Sequence, residues 1–245
     1  MIARPEPTQR GVPRRTFLGT SLVALAATAI APMLGACSSP TDSTTARGDA
    51  GAEETGQPPM SNEAPREPSA PKVLVAYFSR PGENYYNGDR TWLDVGNTEV
   101  VANTIADLID CDVHKIEAAD PYSNDYDQTV RRNLDEQNRN ARPAIANPLP
   151  DLASYDVVLL GSPIWNLRAP MIMSTFTEAL DFTGRTVHPF TTHAMSGLGS
   201  TEEDYAKSCT GAKIGEGAAI QGERANEARP DLATWLRRIG LAAER

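Results

Sequence analysis

The residues best suited to chemistry lie between Lys72 and Ile109. Val73-Leu74-Val75-Ala76-Tyr77-Phe78 is a short, β-rich apolar run of strand length. Ser79 follows it directly, a polar glycine-containing loop runs on to Gly96-Asn97-Thr98, and helical spacing then puts Val101, Ile105, Leu108 and Ile109 on one face. A strand that passes through hydroxyl and glycine residues into a helix N-terminus leaves backbone N–H groups free at the positive end of the helix dipole. That junction is an anion site. Ser79, Gly96, Asn97 and Thr98 offer hydroxyls and amides, which suffice for a phosphate monoester. Neither GxxxxGK[ST] nor GxGxxG follows the strand, which argues against triphosphate hydrolysis and dinucleotide binding. Arg80 either assists the anion or lies solvated at the surface. Glu99 suits the helix dipole but would repel a nearby phosphate, so its side chain is expected to turn away.

Two later loops carry the other candidates. Gly161-Ser162-Pro163-Ile164-Trp165-Asn166 follows a continuous apolar run, Val157–Leu160. A Trp just past a strand end can stack on a flat ring, worth about 0.5–1.5 kcal/mol beyond burial, and Pro163 stiffens its approach. The bland alternative is a core Trp. Thr191-Thr192-His193-Ala194-Met195-Ser196-Gly197-Leu198-Gly199 is the third loop, and its glycines let backbone approach a planar ligand. His193 either donates a proton, touches the ring, or holds the loop through hydrogen bonds. A singly phosphorylated flat ring satisfies all three loops, and flavin mononucleotide (FMN) is the ligand read here. No Ser-His-Asp order, CxxC pair or zinc spacing is legible, so no metal site and no catalytic residue are assigned.

These loops need a scaffold. Strand-like Asp112–Glu117 follows the first helix. Tyr126–Asn138 reads as a helix with Tyr126, Val130 and Leu134 on its apolar face at i, i+4 spacing. Pro170 suits the first turn of a helix that aligns Met171, Ile172, Phe176 and Leu180. Val187–Phe190 is a fourth strand, Ser200 with Glu203 reads as a capping box, and Ala212–Ile220 is a fifth strand broken by glycine. The last helix begins near Pro230, with Leu232, Trp235, Leu236 and Ile239 on one face, and stops at Gly240. Alternating strands and helices predict an α/β, doubly wound, five-stranded parallel sheet of flavodoxin-like order 2-1-3-4-5. In such sheets ligands sit beyond the carboxyl ends of the strands, where the order reverses.

The sequence resembles the flavodoxin family over residues 72–240. The resemblance rests on Tyr77-Phe78-Ser79-Arg80-Pro81-Gly82-Glu83-Asn84-Tyr85-Tyr86, Val95-Gly96-Asn97-Thr98-Glu99-Val100-Val101-Ala102, Asn140-Ala141-Arg142-Pro143, Gly161-Ser162-Pro163-Ile164-Trp165 and Pro189-Phe190-Thr191-Thr192-His193-Ala194-Met195-Ser196-Gly197-Leu198-Gly199. It implies FMN and electron transfer. It places phosphate contacts at Ser79, Asn97 and Thr98, and ring contacts at Pro163, Trp165 and the His193–Gly199 loop. Asn166 stands where a second aromatic often follows the Trp. Ala194-Met195 replaces a pair that usually contains glycine. Partners read on this basis are a redox protein or a small-molecule electron acceptor. Two alternatives stay open: an NAD(P)H-dependent quinone or flavin reductase, and a cofactor-free binding lipoprotein on the same fold.

Charge and composition bound the rest. The formal charge is −9; residues 1–37 hold four Arg against one Glu, leaving −12 on the remainder. This argues against nucleic acid as a partner. Cys111 and Cys209 read as separate buried thiols, with a disulfide as the alternative. Arg14-Arg15-Thr16-Phe17-Leu18 before the uncharged run Gly19–Ala36 is a twin-arginine export signal by pattern. Leu34-Gly35-Ala36-Cys37 resembles a bacterial lipobox, in which Cys37 is acylated. Each buried CH₂ of an acyl chain adds ~0.8 kcal/mol of membrane affinity. Residues 38–70 are mostly Ser, Thr, Pro, Gly, Ala and Glu with almost no large apolar side chain, and read as a disordered tether. The organisation expected is a signal peptide over 1–37, a tether over 38–70 and an FMN-binding domain over 71–245. The location expected is the periplasm or the outer face of the cytoplasmic membrane.

Replacing Arg14 and Arg15 together by Lys should leave the protein in the cytoplasm. Cys37→Ser should move it from the detergent phase to the aqueous phase in Triton X-114 partitioning of cell fractions. Unchanged partitioning of the Cys37 variant excludes the lipid anchor.

Overall fold

The computed structural model describes residues 70–243. The expected signal peptide, Cys37 and the tether up to residue 69 lie outside the described residues.

Strand β1 (Val73–Tyr77) is central in the main sheet. It pairs in parallel with β4 (Asp112–Lys115) on one side and β5 (Val157–Pro163) on the other. Strand β6 (Thr186–His193) follows β5, and β7 (Lys213–Ile214) and β8 (Ala218–Gln221) both pair with β6. With β7 and β8 as two pieces of one fifth strand, broken at Gly215-Glu216-Gly217, the order is the expected 2-1-3-4-5.

Alternation along β1 explains the layers. Val73, Val75 and Tyr77 join one core with helices α1 (Asn97–Ala106) and α5 (Arg229–Arg238), through Val101, Ile105, Leu232, Trp235 and Leu236. Leu74, Ala76 and Phe78 join a second core with α3 (Met171–Glu178) and α4 (Thr201–Ser208), through Ile172, Phe176 and Tyr205. The sheet is thus covered on both faces. This is why Val157 to Leu160 reads as an unbroken apolar run and is buried throughout.

Several local expectations change. The stretch before α1 is not an irregular loop but an antiparallel hairpin, β2 (Gly82–Tyr86) and β3 (Asp89–Leu93). Asn87 and Gly88 form its turn with φ of 49° and 90°. Two positive φ angles in succession favour an Asn-Gly pair, and that pair is the strongest short-range hairpin signal a sequence carries. Helix α2 (Tyr126–Asn138) has the expected bounds but the opposite face inward. Thr129, Asn133 and Glu136 are buried, whereas Val130 and Leu134 are 39% and 41% exposed. The buried carboxylate of Glu136 is satisfied by the Tyr122 hydroxyl at 2.7 Å and by Arg132 Nε at 2.7 Å, so a polar face can be packed inward. The capping box does not form: Ser200 Oγ donates to Asp204 and Glu203 pairs with Lys207. Pro170 precedes the first helical residue of α3 as its N-cap. Cys111 and Cys209 are both free thiols, pushed by burial up to about 11 and about 12.

The three histidines are all depressed below the ordinary 6.5, chiefly by burial. Glu117 opposes the shift at His114, Glu216 at His188 and Glu223 at His193. A depressed folded-state value means that the unfolded chain binds more protons in this range, so this part of the stability is complete above about pH 6.5 and declines as pH falls below it. The urea midpoint should therefore drop between about pH 7.5 and pH 5.5. A midpoint that is flat or rises over that interval contradicts the burial of neutral imidazoles.

Candidate functional site

At the carboxyl ends of β1, β5 and β6 the described residues form a cleft of about 320 Å³. Sites for small ligands occupy about 300–1,000 Å³. One end is the start of α1. Gly96 is its N-cap, with no side-chain cap, and the Glu99 amide of the first turn faces Ser79. Ser79 Oγ accepts from the Glu99 N–H at 3.1 Å, which leaves the hydroxyl hydrogen free to donate to an anion. Gly96 itself stands behind the cleft wall, and a Cβ there would lie against Ser79 Oγ and the Arg80 carbonyl. Its glycine is required by close approach, since its φ of −68° is ordinary. Glu99 does turn away, into an ion pair with Lys115 Nζ at 2.8 Å.

The first and third loops are joined at Thr98 and Thr192, whose hydroxyl oxygens lie 2.7 Å apart and are buried. One hydroxyl must donate to the other, so the pair keeps a single hydrogen for any other acceptor. Of the expected residues, Ser79, Arg80, Asn97, Thr98, Pro163, Ile164, Trp165, Thr192 and His193 line this one cleft.

Trp165 answers to both of its readings. Its ring lines the cleft and also packs edge-on against Tyr122 at 5.2 Å and Phe78 at 5.8 Å. Helix α2 fixes it from behind: Gln137 Nε2 donates to the Trp165 carbonyl at 3.0 Å, and Asn166 Nδ2 donates to Gln137 Oε1 at 2.8 Å. Asn166 is thus turned from the cleft, with φ of 52°, and acts on the loop rather than on the ligand space. Ser196, Gly197 and Gly199 also lie off the cleft. The Gly197 carbonyl accepts from Thr191 Oγ1 at 3.0 Å, and Gly199 rests on the Leu167 carbonyl, so these residues shape the loop.

Arg80 is neither solvated nor free. It is 7% exposed; one terminal nitrogen donates to the Ser123 carbonyl at 2.8 Å and the other to the Glu83 carbonyl. Burial pulls its guanidinium below the ordinary range, and Glu83 opposes that. Sequence reasoning missed Asn84 and Tyr85 on β2, Tyr126, and Gly222-Glu223 after β8, all of which line the cleft. The Asn87-Gly88 turn would have revealed the hairpin that brings the first two. Nothing local marks Glu223, which arrives through the pairing of β8 with β6. Its Oε1 accepts from the Asn87 N–H at 3.0 Å, tying the hairpin turn across to the end of β8.

Three buried polar atoms on the cleft lining have no partner among the described residues: Arg80 Nε, His193 Nδ1 and Glu223 Oε2. Such atoms cost about 1–3 kcal/mol each when left unpaired. Together with the unpaired amides at the start of α1, they fit a polar, ring-bearing phosphate ligand. Among the described residues no group of acidic, His or Cys side chains is arranged to hold a metal ion.

The family described as flavodoxin matches residues 72–239. The chain belongs to the flavodoxin family. Among solved structures, this flavodoxin is similar to a protein of Bacteroides eggerthii provisionally described as a flavoprotein. The two are 29% identical with a TM-score of 0.56, over 71% of this chain and 99% of that one. A protein of Bacteroides uniformis with the same provisional description is 29% identical, covering 69% of this chain and 99% of its own, with a TM-score of 0.55. A flavoprotein of Lactobacillus acidophilus in complex with FMN is 19% identical, over 64% and 98% of the two chains, with a TM-score of 0.47. No curated protein matches.

Gly96→Ala should destabilise the domain by about 1–3 kcal/mol in urea unfolding, because the added methyl must displace backbone at Arg80. A variant as stable as the parent shows that the start of α1 does not rely on this contact.

Proposed function

We propose that this flavodoxin binds FMN in the cleft and acts as an electron-transfer protein of the bacterial cell envelope. The observation that carries the reading is the meeting of three chain turns in one cleft: α1 amides with Ser79 at one end, Trp165 on one wall, and Thr192-His193 on another. Bound there, FMN would supply one- and two-electron chemistry.

The chain's own residues then have separable tasks. Ser79, the Asn97 and Thr98 amides and the shared hydrogen of the Thr98–Thr192 pair would hold the phosphate. Trp165, held by Gln137, would stack on the ring. His193, neutral by burial, would offer a ring nitrogen to the polar edge of the isoalloxazine. Glu223 near that edge and the acidic domain as a whole would disfavour an added negative charge on the ring. The envelope location and lipid anchor are supported by Arg14-Arg15 and by Leu34–Cys37. Twin-arginine export suits a domain that folds around a cofactor before it crosses the membrane.

Purified protein should be yellow or take up FMN one-to-one. Trp165→Phe, which keeps a ring between Tyr122 and Phe78, should weaken FMN roughly two- to tenfold, the loss of about 0.5–1.5 kcal/mol of stacking. Thr98→Val should weaken it by a comparable factor. The readout is quenching of free FMN fluorescence; equal affinity of both variants and the parent removes this site assignment.

A further inference from the structure

The hairpin β2–β3 forms a two-stranded sheet of its own, apart from the main one. Its base is fastened to the segment before α2. Arg80 donates to the Ser123 carbonyl at 2.8 Å, and the Glu83 N–H donates to the Asn124 carbonyl at 2.8 Å. Its tip is tied elsewhere, by the Asn87 N–H to Glu223 Oε1 at 3.0 Å. The segment before α2 follows β4 and Glu223 follows β8, and these strands lie on opposite sides of the sheet. Extended chain from Gly82 to Asn87 reaches about 17 Å, close to the width of about 19 Å from β4 to β8 at ~4.8 Å per strand. The hairpin is therefore a strap across the rim, passing the ends of β1, β5 and β6 where the cleft lies.

Tyr85 is on the inner face of that strap. Alternation puts it on the same side of β2 as Glu83, and cross-strand pairing puts Arg90 opposite it on that side. Glu83 and Arg90 both reach Tyr126, a residue of the cleft lining: the Glu83 carboxylate accepts from the Tyr126 N–H at 3.1 Å, and the Arg90 guanidinium lies 4.6 Å from the ring centre. Tyr86, on the outer face, is 45% exposed. Tyr85 is partly buried and lines the cleft. Of the three aromatic residues of the lining, Trp165 packs on Tyr122 and Phe78, and Tyr126 is covered by Arg90. Tyr85 enters no ring–ring or cation–ring contact among the described residues.

We propose that Tyr85 is a binding residue for the ring of the cleft ligand, and that the Asn87–Glu223 hydrogen bond is the latch that keeps it in place. The inference rests on the flavin reading and deepens it. A flat ring laid against Tyr85 would take apolar area of both out of water and give the phenol ring the partner it lacks. An isolated two-stranded hairpin is marginal in water, so the position of Tyr85 depends on how the two ends of the strap are fastened. Arg80 and Asn124 secure the base, and Glu223 secures the tip. Glu223 is thus a positioning residue, acting on the ligand through the strap.

The test is FMN titration of the full chain by fluorescence quenching. Tyr85→Phe should stay within roughly twofold of the parent, and Tyr85→Ala should bind roughly fivefold more weakly. Glu223→Gln keeps a carbonyl oxygen for the Asn87 N–H, whereas Glu223→Ala does not. Both remove the charge, so the difference between them reports the latch, and the Ala variant should bind roughly fivefold more weakly than the Gln variant. Adding Tyr85→Ala should cost roughly fivefold in the Gln background but less than about twofold in the Ala background. A second measurement needs no variant: FMN should slow hydrogen–deuterium exchange of the amides over residues 82–93. If the parent binds FMN but Tyr85→Ala binds it equally well, or exchange in the hairpin is unchanged, the role of Tyr85 is overturned and the flavin reading stands. Equal affinities of the two Glu223 variants, or a full loss on adding Tyr85→Ala to Glu223→Ala, overturn the latch. A parent that takes up no FMN overturns the flavin reading and this inference together.

Discussion

The close approach of Gly96 to Ser79 and Arg80 is the constraint on which the cleft depends. Strand β1 sits at the centre of the sheet, buried on both faces, and leaves the sheet at Tyr77. The hairpin that follows could carry the chain anywhere, but Gly96 brings it back against the residues just after β1. Only then does the uncapped start of α1 open onto Ser79, and only then does Thr98 reach Thr192. The dipole, the free amides and the hydroxyls act on the same space because one missing side chain allows backbone to meet backbone.

The opposite wall of the cleft is held by hydrogen bonds rather than by apolar packing alone. Trp165 lines the cleft, so it is not enclosed by a core on all sides. Tyr122 and Phe78 support it edge-on, and Gln137 grips the backbone of its loop. These contacts explain the inverted face of α2. To place Gln137 against Trp165 and Glu136 against Tyr122, the helix must present its polar side to the domain, and Arg132 of the same helix completes the pairing of Glu136. Val130 and Leu134 are left outward as a consequence.

Charge is managed in the same local manner. The domain is acidic, yet the carboxylate in the first turn of α1, Glu99, is held by Lys115 and does not line the cleft. Arg80 spends its terminal nitrogens on the Ser123 and Glu83 carbonyls, fastening the hairpin base to the loop before α2. Arg142, within the Asn140–Pro143 motif, bonds Glu178 through two nitrogens and the Asn140 carbonyl, and so ties a turn with φ of 47° at Asn140 to the end of α3. That motif is structural, and it lies away from the cleft lining.

The sheet, its order and the three turns at its rim were legible in local sequence pattern. Strands buried on both faces leave continuous apolar runs, and helices between them leave a period near 3.6, so both signals are local. The bounds of α2, the stop near Gly240 and the free start of α1 were legible for the same reason. Tertiary structure alone decided which side of α2 faces inward, because that side is held by contacts made outside the helix, Tyr122 with Glu136 and Gln137 with the Trp165 carbonyl. It also decided which loop residues reach the cleft: Asn166 and Gly199 are turned to neighbouring loops, while Glu223 is delivered by a strand pairing that no short stretch of sequence encodes. A periodic pattern reports what a residue's neighbours in the chain require, and side-chain direction at a loop is set by neighbours in space.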